Sequence, residues 1–340
     1  MRSEILEQPR AWQRLLSAGW EAVASAARLV RDQEPAQVVL LARGSSDNAA
    51  VYGQYLMQTS LKLPTTLATP STHTILGAGA ASFPRHALVL AVSQSGASAD
   101  LIQTLVAARS AGCLTMSITN DPDSPLAQEA DAHIPLLAGP ERSVAATKTY
   151  TTELLALRML TAAVASAERP TYEELQPAEQ VLRAAQEACS ELAQRLAGVQ
   201  RMLVVGRGYS YASAREAALK LMETSYLMTQ GLSAADAKHG PIAVLDPDTP
   251  LLAFASRGPT SASVASVVDA ARAAGAPVEV IGDGAIAGDS LPALLPPGLA
   301  PEVVPLLEIL PGQLFALELA LQRGNDPDRP RGLSKVTSTT

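Results

Sequence analysis

The chain has 340 residues, of which 47% are hydrophobic and 17% are charged, so it is long enough to bury the cores of two domains. Its formal net charge of −7 argues against nucleic acids and anionic membrane surfaces as partners, because both require a basic face. Only 4% of the residues are aromatic, which favours helices packed on parallel strands over an aromatic-rich β-sandwich. We therefore expect a folded, soluble α/β protein.

The start of the chain and its cysteines bear on location and on metal binding. MRSEILEQPRAW carries charges and a proline where a signal peptide needs an apolar segment, and no apolar run reaches the roughly 18 residues of a membrane span. Cys113 and Cys189 are the two cysteines, and they lack the spacing of a metal site. These features predict a cytoplasmic protein without a structural metal or a disulfide.

Two segments of the chain share one pattern, in which an apolar strand is followed by Arg-Gly-x-Ser and then by a helix of small residues. They begin at Gln37 and Arg201, and each continues with further strand-then-helix units. Such alternation implies βαβ crossovers. The predicted fold class is therefore α/β, with two tandem domains, each a doubly wound parallel sheet flanked by helices. The predicted strands are 38–42, 87–92, 114–119 and 133–137 in the first half, and 202–206, 250–255, 277–282 and 302–306 in the second.

Shifts in composition divide the chain into segments. Residues 1–35 are predicted to be a helical lead-in, 36–167 the first α/β domain and 172–323 the second. The polar stretch SAERPTYEEL contains the linker between the two domains, and residues 324–340 form a polar, basic tail rich in proline.

The stretch SQSGAS, residues 93–98, ends one apolar strand and precedes an amphipathic helix. Ligands of open α/β sheets bind beyond the carboxyl ends of the strands, and backbone N–H groups ahead of a helix suit a phosphate. The alternative is that the serines only cap the helix, but one cap needs one hydroxyl, and Gly44-Ser45-Ser46 ends a neighbouring strand. Neither a Walker lysine nor GxGxxG is present. The stretch therefore predicts a site for a small phosphorylated metabolite rather than a nucleotide cofactor.

Five motifs in order resemble the sugar isomerase (SIS) superfamily and, more narrowly, the isomerase half of the glucosamine-fructose-6-phosphate aminotransferases. They are SQSGAS, ERSVAATKTYTTE (141–153), ALKLMETSY (218–226), AKHGP (237–241) and DPDRPRGLSKVT (326–337). The resemblance covers essentially the whole chain. It implies two SIS domains, a homodimer with active sites shared at the subunit interface, and aldose–ketose chemistry on a phosphosugar substrate without a metal or an organic cofactor.

The resemblance also implies a role for individual residues. Glu223 would move a proton between C1 and C2 of the open-chain sugar, with Lys220 orienting it from the same helix face. His239 would open the sugar ring, and Lys335 would return over the sugar in a tail that closes the site. The phosphate would be bound by Ser46, Ser93, Gln94, Ser95 and Ser98, and the sugar lined by Gly44, Ser45, Glu141, Val144, Ala146 and Ser334.

Each catalytic residue has a plainer interpretation as well. Lys220 and Glu223 could form an ordinary surface ion pair, His239 could be structural, and the tail with Lys335 could have no function. The family context favours function for all of them. Two positions depart from the family pattern, since Ala146 stands where relatives often have Ser and Ala97 where Glu is common, so amino-sugar specificity stays open there.

The sequence starts at the equivalent of the isomerase domain and has no cysteine before Cys113, so glutamine hydrolysis by an N-terminal cysteine is not expected. The predicted reaction is conversion of glucosamine 6-phosphate to fructose 6-phosphate and ammonia. The alternatives are another ketose–aldose isomerisation, a fructosamine-6-phosphate deglycase, or a non-catalytic phosphosugar sensor. In the second half, SRGPTS (256–261) replaces the SQSG pattern, which predicts one phosphate site per chain.

Overall fold

The computed structural model describes residues 1–335, so the last five residues of the predicted tail lie outside the described residues. The packing of Cα atoms separates two units. Among the described residues, the five-stranded unit comprises 10–141, 148–172 and 334–335, and the four-stranded unit comprises 1–9, 142–147 and 173–333.

The five-stranded unit is built on a parallel sheet with the strand order β2-β1-β3-β4-β5. Its strands are β1 (Gln37–Leu41), β2 (Thr65–Leu67), β3 (Ala87–Ser93), β4 (Leu114–Thr119) and β5 (Ala132–Pro135). Its helices are α1 (Arg2–Ala18, of which residues 2–9 belong to the four-stranded unit), α2 (Trp20–Gln33), α3 (Gly44–Leu56), α4 (Pro70–Thr74), α5 (Ala99–Ser110), α6 (Pro125–Glu129) and α7 (Lys148–Val164).

The four-stranded unit is also built on a parallel sheet, with the strand order β7-β6-β8-β9. Its strands are β6 (Arg201–Gly206), β7 (Met228–Ser233), β8 (Leu251–Phe254) and β9 (Val278–Ile281). Its helices are α8 (Ala178–Arg195), α9 (Ser210–Ser225), α10 (Ala234–Ala237), α11 (Ser261–Ala273) and α12 (Val304–Gln322). Two parallel sheets flanked by helices confirm the predicted fold class.

Each sheet reverses its strand order once. In the five-stranded sheet β1 is followed in the chain by β2 on one side and by β3 on the other, and in the four-stranded sheet β6 is followed by β7 and β8 in the same way. Crevices for ligands open at such switch points, beyond the carboxyl ends of the strands. The loops after β1 and β3 and the loops after β6 and β8 are thus the places to look for bound ligands.

The cores explain why these segments fold as they do. All seven residues of β3 are buried, as a strand covered on both faces requires. Helix α12 is predominantly apolar and packs against α8 and α9 in the core of the four-stranded unit. By length and composition α12 could cross a membrane, but it is almost entirely buried inside the fold, which is the behaviour of a core helix.

Seven of the eight predicted strands are confirmed, and the strand at 302–306 is wrong. Its residues lead into α12, where Pro305 occupies the first turn of the helix, a position that needs no backbone N–H donor. The apolar run continues to Gln322, much longer than a strand. The prediction also missed β2 and β7, which lie at sheet edges: β2 has three residues, and β7 begins with the exposed Met228.

A buried carboxyl group in α12 makes the stability of the four-stranded unit depend on pH. Burial raises the pKa of Glu308 to about 7, well above the usual value of a glutamate, while the hydroxyls of Ser213 and Ser210 oppose that rise. The folded state therefore holds its proton more tightly than the unfolded state, so stability is full below pH 4.5 and falls until the pH passes about 7. A shift of this size corresponds to about 3 kcal/mol.

We expect Glu308→Gln to remove this loss, because the amide stays neutral at every pH. Urea unfolding at about pH 5 and pH 8 should show the variant gaining roughly 2–3 kcal/mol over the parent only at the higher pH. Glu187→Gln, an exposed change on α8, is the control. Equal stability differences at the two pH values would rule out the titration of Glu308 as the cause.

Candidate functional site

In the loop after β3, two serine hydroxyls accept backbone N–H groups just ahead of α5. The Ser93 hydroxyl accepts the Gly96 N–H at 3.1 Å, and the Ser95 hydroxyl accepts the Ala97 N–H at 3.3 Å. Ser98 occupies the N-cap position of α5, yet its side chain makes no capping hydrogen bond. The capping side chain is thus absent, but within the first turn Oδ1 of Asp100 accepts the Leu101 N–H at 2.9 Å. An anion here would have to bind to other N–H groups of the helix end.

Gly96 is required by the shape of this loop. Its φ of +62° lies in the left-handed region, and a Cβ atom here would lie 2.2 Å from Oγ of Ser124. Gly44, in the first turn of α3, has a similar φ of +59° but no atom within 4 Å of an added Cβ. Substituting Gly44 therefore costs only the strain of a left-handed backbone, whereas substituting Gly96 adds a steric collision to the same strain.

We expect Gly96→Ala to lower stability by about 3 kcal/mol and to weaken phosphosugar binding at least tenfold, because Ser124 or the loop must move. Gly44→Ala should cost about 1–2 kcal/mol, the conformational penalty alone. Urea unfolding and calorimetric titration with fructose 6-phosphate measure both effects. Equal losses of stability in the two variants would contradict the collision with Ser124.

The loop after β1 lies beside this one, because β1 pairs with β3. Ser46 is buried in the first turn of α3, and its hydroxyl donates to Oε1 of Glu153 at 2.8 Å. A hydroxyl has one proton to donate, so Ser46 would have to turn away from Glu153 to donate to a phosphate. Arg43, just before this helix, donates from Nε to Oδ2 of Asp100 at 3.0 Å, which connects the two loops.

The corresponding loop of the four-stranded unit, after β8, is occupied by protein groups. The backbone N–H of Arg257 donates to both carboxylate oxygens of Asp283 at 3.2 Å, and Nε of Arg257 lies 3.9 Å from Oδ2 of the same residue. A carboxylate thus accepts the N–H that a phosphate would need. This arrangement is consistent with one phosphate site per chain, in the five-stranded unit.

Helix α9 carries a buried cluster of charges. Nζ of Lys220 lies 2.5 Å from Oε2 of Glu223 and 3.4 Å from Oε1 of Glu216. The side chains of Lys220 and Glu216 are fully buried, whereas that of Glu223 is 21% exposed. The alternative of an ordinary surface ion pair does not fit, because Lys220 is buried. Of the three groups, the carboxylate of Glu223, which is predicted to move the proton, is the one that reaches solvent.

The carboxylate of Glu141 accepts three hydrogen bonds, from Thr149 and Lys335. Its carboxylate accepts the Thr149 N–H at 3.1 Å and the Thr149 hydroxyl at 2.6 Å, and Nζ of Lys335 donates to Oε2 at 3.1 Å. The Glu141 side chain is fully buried, and that of Lys335 is 26% exposed. The lysine of the tail and the glutamate of the 141–153 motif, both predicted from sequence, are thus brought together.

For the remaining predicted residues the structure gives a position and a degree of burial, but no contact that joins them to the groups described above. His239 is exposed in the turn after α10, where its backbone N–H donates to Asp236 O at 3.0 Å. Val144 and Ala146 are half-buried in the segment 142–147 of the four-stranded unit. The other predicted residues lie in the five-stranded unit, where Gln94 and Ser45 are half-buried and Gly44 and Ser334 are exposed.

Sequence reasoning missed three residues of this site. Glu216 could have been found, because it lies four residues before Lys220 on the same helix face. Glu153 and Thr149 belong to a motif that was noticed, but their partners Ser46 and Glu141 are known only from the folded chain. Within residues 1–335, no group of three or more His, Cys, Asp or Glu side chains is arranged to hold a metal ion.

Comparison with known proteins places these features in a family. The SIS domain model matches residues 32–163 and 195–293. A glutamine–fructose-6-phosphate aminotransferase (isomerizing) of Methanothermobacter thermautotrophicus is 35% identical over 99% of this chain, and the chain spans 57% of that relative. The chain thus covers little more than half the length of such curated relatives.

Two solved structures share the fold over nearly their whole length. A candidate phosphosugar isomerase of Silicibacter pomeroyi DSS-3 is 35% identical with a TM-score of 0.82, covering 96% of this chain and 99% of that one. A glucosamine-6-phosphate deaminase of Thermotoga maritima has a TM-score of 0.82 over 99% of both chains at 20% identity, which shows a common fold alone. Since the family model matches most of the chain, in two separate segments, the protein belongs to the SIS domain family.

Proposed function

We propose that the protein is an SIS-type phosphosugar isomerase that converts glucosamine 6-phosphate and water to fructose 6-phosphate and ammonia. The observation that carries the proposal is the cluster on α9, in which a fully buried ammonium holds a partly exposed carboxylate at 2.5 Å. Relatives named as isomerizing aminotransferase and phosphosugar isomerase, each 35% identical, support the substrate class.

The chemistry needs one group that can take a proton and give it back. Glu223 takes the proton from C2 of the open-chain amino sugar and returns it to C1, which oxidises C2 and reduces C1 within one molecule. The product carries C=NH at C2, and addition of water followed by loss of ammonia leaves the ketone. Glu223 is a neutral acid between the two proton transfers, and the ammonium of Lys220 holds its carboxylate in position before the first transfer and after the second.

The other groups have supporting roles in this proposal. The loop 93–98 binds the 6-phosphate through backbone N–H groups at the start of α5. Lys335, held by Glu141 at 3.1 Å, is a charged ammonium in this ion pair. It is therefore suited to contact the oxygens of the open-chain sugar, whereas a Schiff base would require it to lose its proton. His239 donates and accepts the proton that opens the ring.

A homodimer with shared active sites remains part of the proposal, and so does a cytoplasmic location. The exposed position of His239 suits a residue that serves the site of another subunit. Sedimentation equilibrium measures the assembly state. A protein that is monomeric at assay concentration and fully active would contradict the shared site.

The proposal is tested with a coupled assay that measures ammonia and fructose 6-phosphate in the same reaction. We expect equal amounts of both products from glucosamine 6-phosphate. Galactosamine 6-phosphate, fructosamine 6-phosphate and glucose 6-phosphate are run in parallel, because the alternatives are deamination of another amino sugar, deglycation and plain isomerisation. No turnover of any of the four, together with binding of fructose 6-phosphate, would support a sensor and contradict the proposed enzyme.

A further inference from the structure

The arginine of the repeated Arg-Gly-x-Ser pattern has no part in the reaction proposed above. In the first half of the chain it is Arg43, which follows β1 and directly precedes α3. In the second half it is Arg207, which follows β6 at the corresponding place. Because the two arginines hold equivalent positions, a difference between their contacts reflects the loops that surround them.

Arg43 reaches from the start of α3 to the first turn of α5. Its Nε donates to Oδ2 of Asp100 at 3.0 Å, and the Asp100 side chain is buried, whereas that of Arg43 is 44% exposed. Within residues 1–335, Nη1 and Nη2 of Arg43 make no hydrogen bond or ion pair. Asp100 therefore orients the guanidinium through one nitrogen and leaves its remaining N–H donors to a ligand.

Backbone donors of the phosphate loop directly precede Asp100 in the chain. The N–H groups of Ser98 and Ala99 donate to no acceptor in the described part of the chain. Open N–H groups at a helix start and a guanidinium suit the same ligand, because a phosphate has several oxygens that accept hydrogen bonds. The charge of Arg43 is balanced by Asp100, so what Arg43 offers a phosphate is oriented hydrogen bonding rather than a net charge.

Arg207 provides the contrast within the same chain. Its Nη1 donates to Oγ of Ser233, the last residue of β7, at 2.7 Å. The loop after β8, which corresponds to the loop 93–98, is occupied by the pairing of Arg257 with Asp283. The arginine of the repeat thus contacts the helix that follows the phosphate loop in the half that keeps SQSG, and contacts β7 in the half that has lost it.

We infer that Arg43 is a phosphate-binding residue, which contacts the 6-phosphate of the sugar together with the loop 93–98. The inference rests on the proposed function, because it takes that loop as the phosphate site. Hydrogen bonds from both Nη groups match the spacing of phosphate oxygens. Removal of the guanidinium therefore weakens binding of the sugar phosphate, whether or not the protein turns it over.

Calorimetric titration with fructose 6-phosphate and with inorganic phosphate tests this role. We expect Arg43→Gln to raise both Kd values about tenfold, and Arg43→Lys to recover part of the loss. Arg207→Gln, the matched change in the other half of the chain, should alter neither value. Replacing the exposed Arg43 side chain should cost little stability, because ion pairs at the surface contribute little.

Amide hydrogen exchange of residues 93–102 without ligand separates a contact with phosphate from a purely structural role. We expect Arg43→Gln to leave this exchange unchanged, whereas faster exchange would mean that Arg43 only holds α5 through Asp100, and would overturn the inference. Binding by the parent with both Kd values unaffected by Arg43→Gln would also overturn it and leave the proposed function standing. If the parent binds neither ligand, the phosphate site of the proposed function fails together with the role of Arg43.

Discussion

Replacing Glu223 by Gln is expected to lower kcat about 10³-fold, with KM changed less than about threefold. Gln has the size of Glu but cannot accept and return a proton at neutral pH. The loop 93–98, which we propose binds the phosphate, lies in the other unit of the chain, so binding of the sugar phosphate should persist. Steady-state assays with glucosamine 6-phosphate measure both constants.

The exposed change Glu187→Gln, on a different helix of the same unit, is the matched control and should leave both constants unaltered. Circular dichroism and urea unfolding show whether the Glu223 variant keeps its fold. A variant that folds normally and retains more than about a tenth of the parent kcat would remove Glu223 from the proton transfer.

Replacing Lys220 by Met is expected to cost about 3–5 kcal/mol of stability and to abolish turnover. Its ammonium is fully buried and pairs with both Glu216 and Glu223, so its replacement removes a positive charge that both carboxylates share. An exposed ion pair, Arg183 with Glu179 at 3.7 Å, offers the contrast, because such pairs contribute about 0–1 kcal/mol.

Urea unfolding of Lys220→Met and Arg183→Met measures this difference. Adding Glu216→Gln to Lys220→Met replaces the buried carboxylate of Glu216 by a neutral amide. The double variant should therefore recover part of the lost stability without recovering activity. If Lys220→Met unfolds at the same urea concentration as the parent protein, the ammonium of Lys220 does not stabilise the buried cluster.

The fold could be read from the sequence to the extent that burial shapes the pattern of residues. β3 was predicted from a continuous apolar run, since a strand covered on both faces consists of such residues. β7 was missed because Met228 and Gln230 are exposed at the sheet edge. The start of α12 was predicted to be a strand because an apolar run has no period that separates a strand from a buried helix.

The residues of the candidate site also differ in how far the sequence predicts them. Glu223 was predicted from the resemblance of its motif to the family, and Lys220 was added because helical spacing places it on the same face. The contact of Glu141 with Thr149 spans eight residues, and that with Lys335 spans 194, so a motif could point to the residues but not to their pairing. Glu308 gave no signal at all, because a glutamate in an apolar run is unusual only once its burial is known.

The role of Glu223 in proton transfer is tested most directly by following glucosamine 6-phosphate in D₂O by NMR with the parent protein, Glu223→Gln and Glu187→Gln. We expect fructose 6-phosphate with deuterium at C1 from the parent and from Glu187→Gln, because Glu223 exchanges part of the proton it carries with solvent. With Glu223→Gln we expect neither product nor loss of the C2 proton. Product formation at the same rate with Glu223→Gln would contradict proton transfer by Glu223.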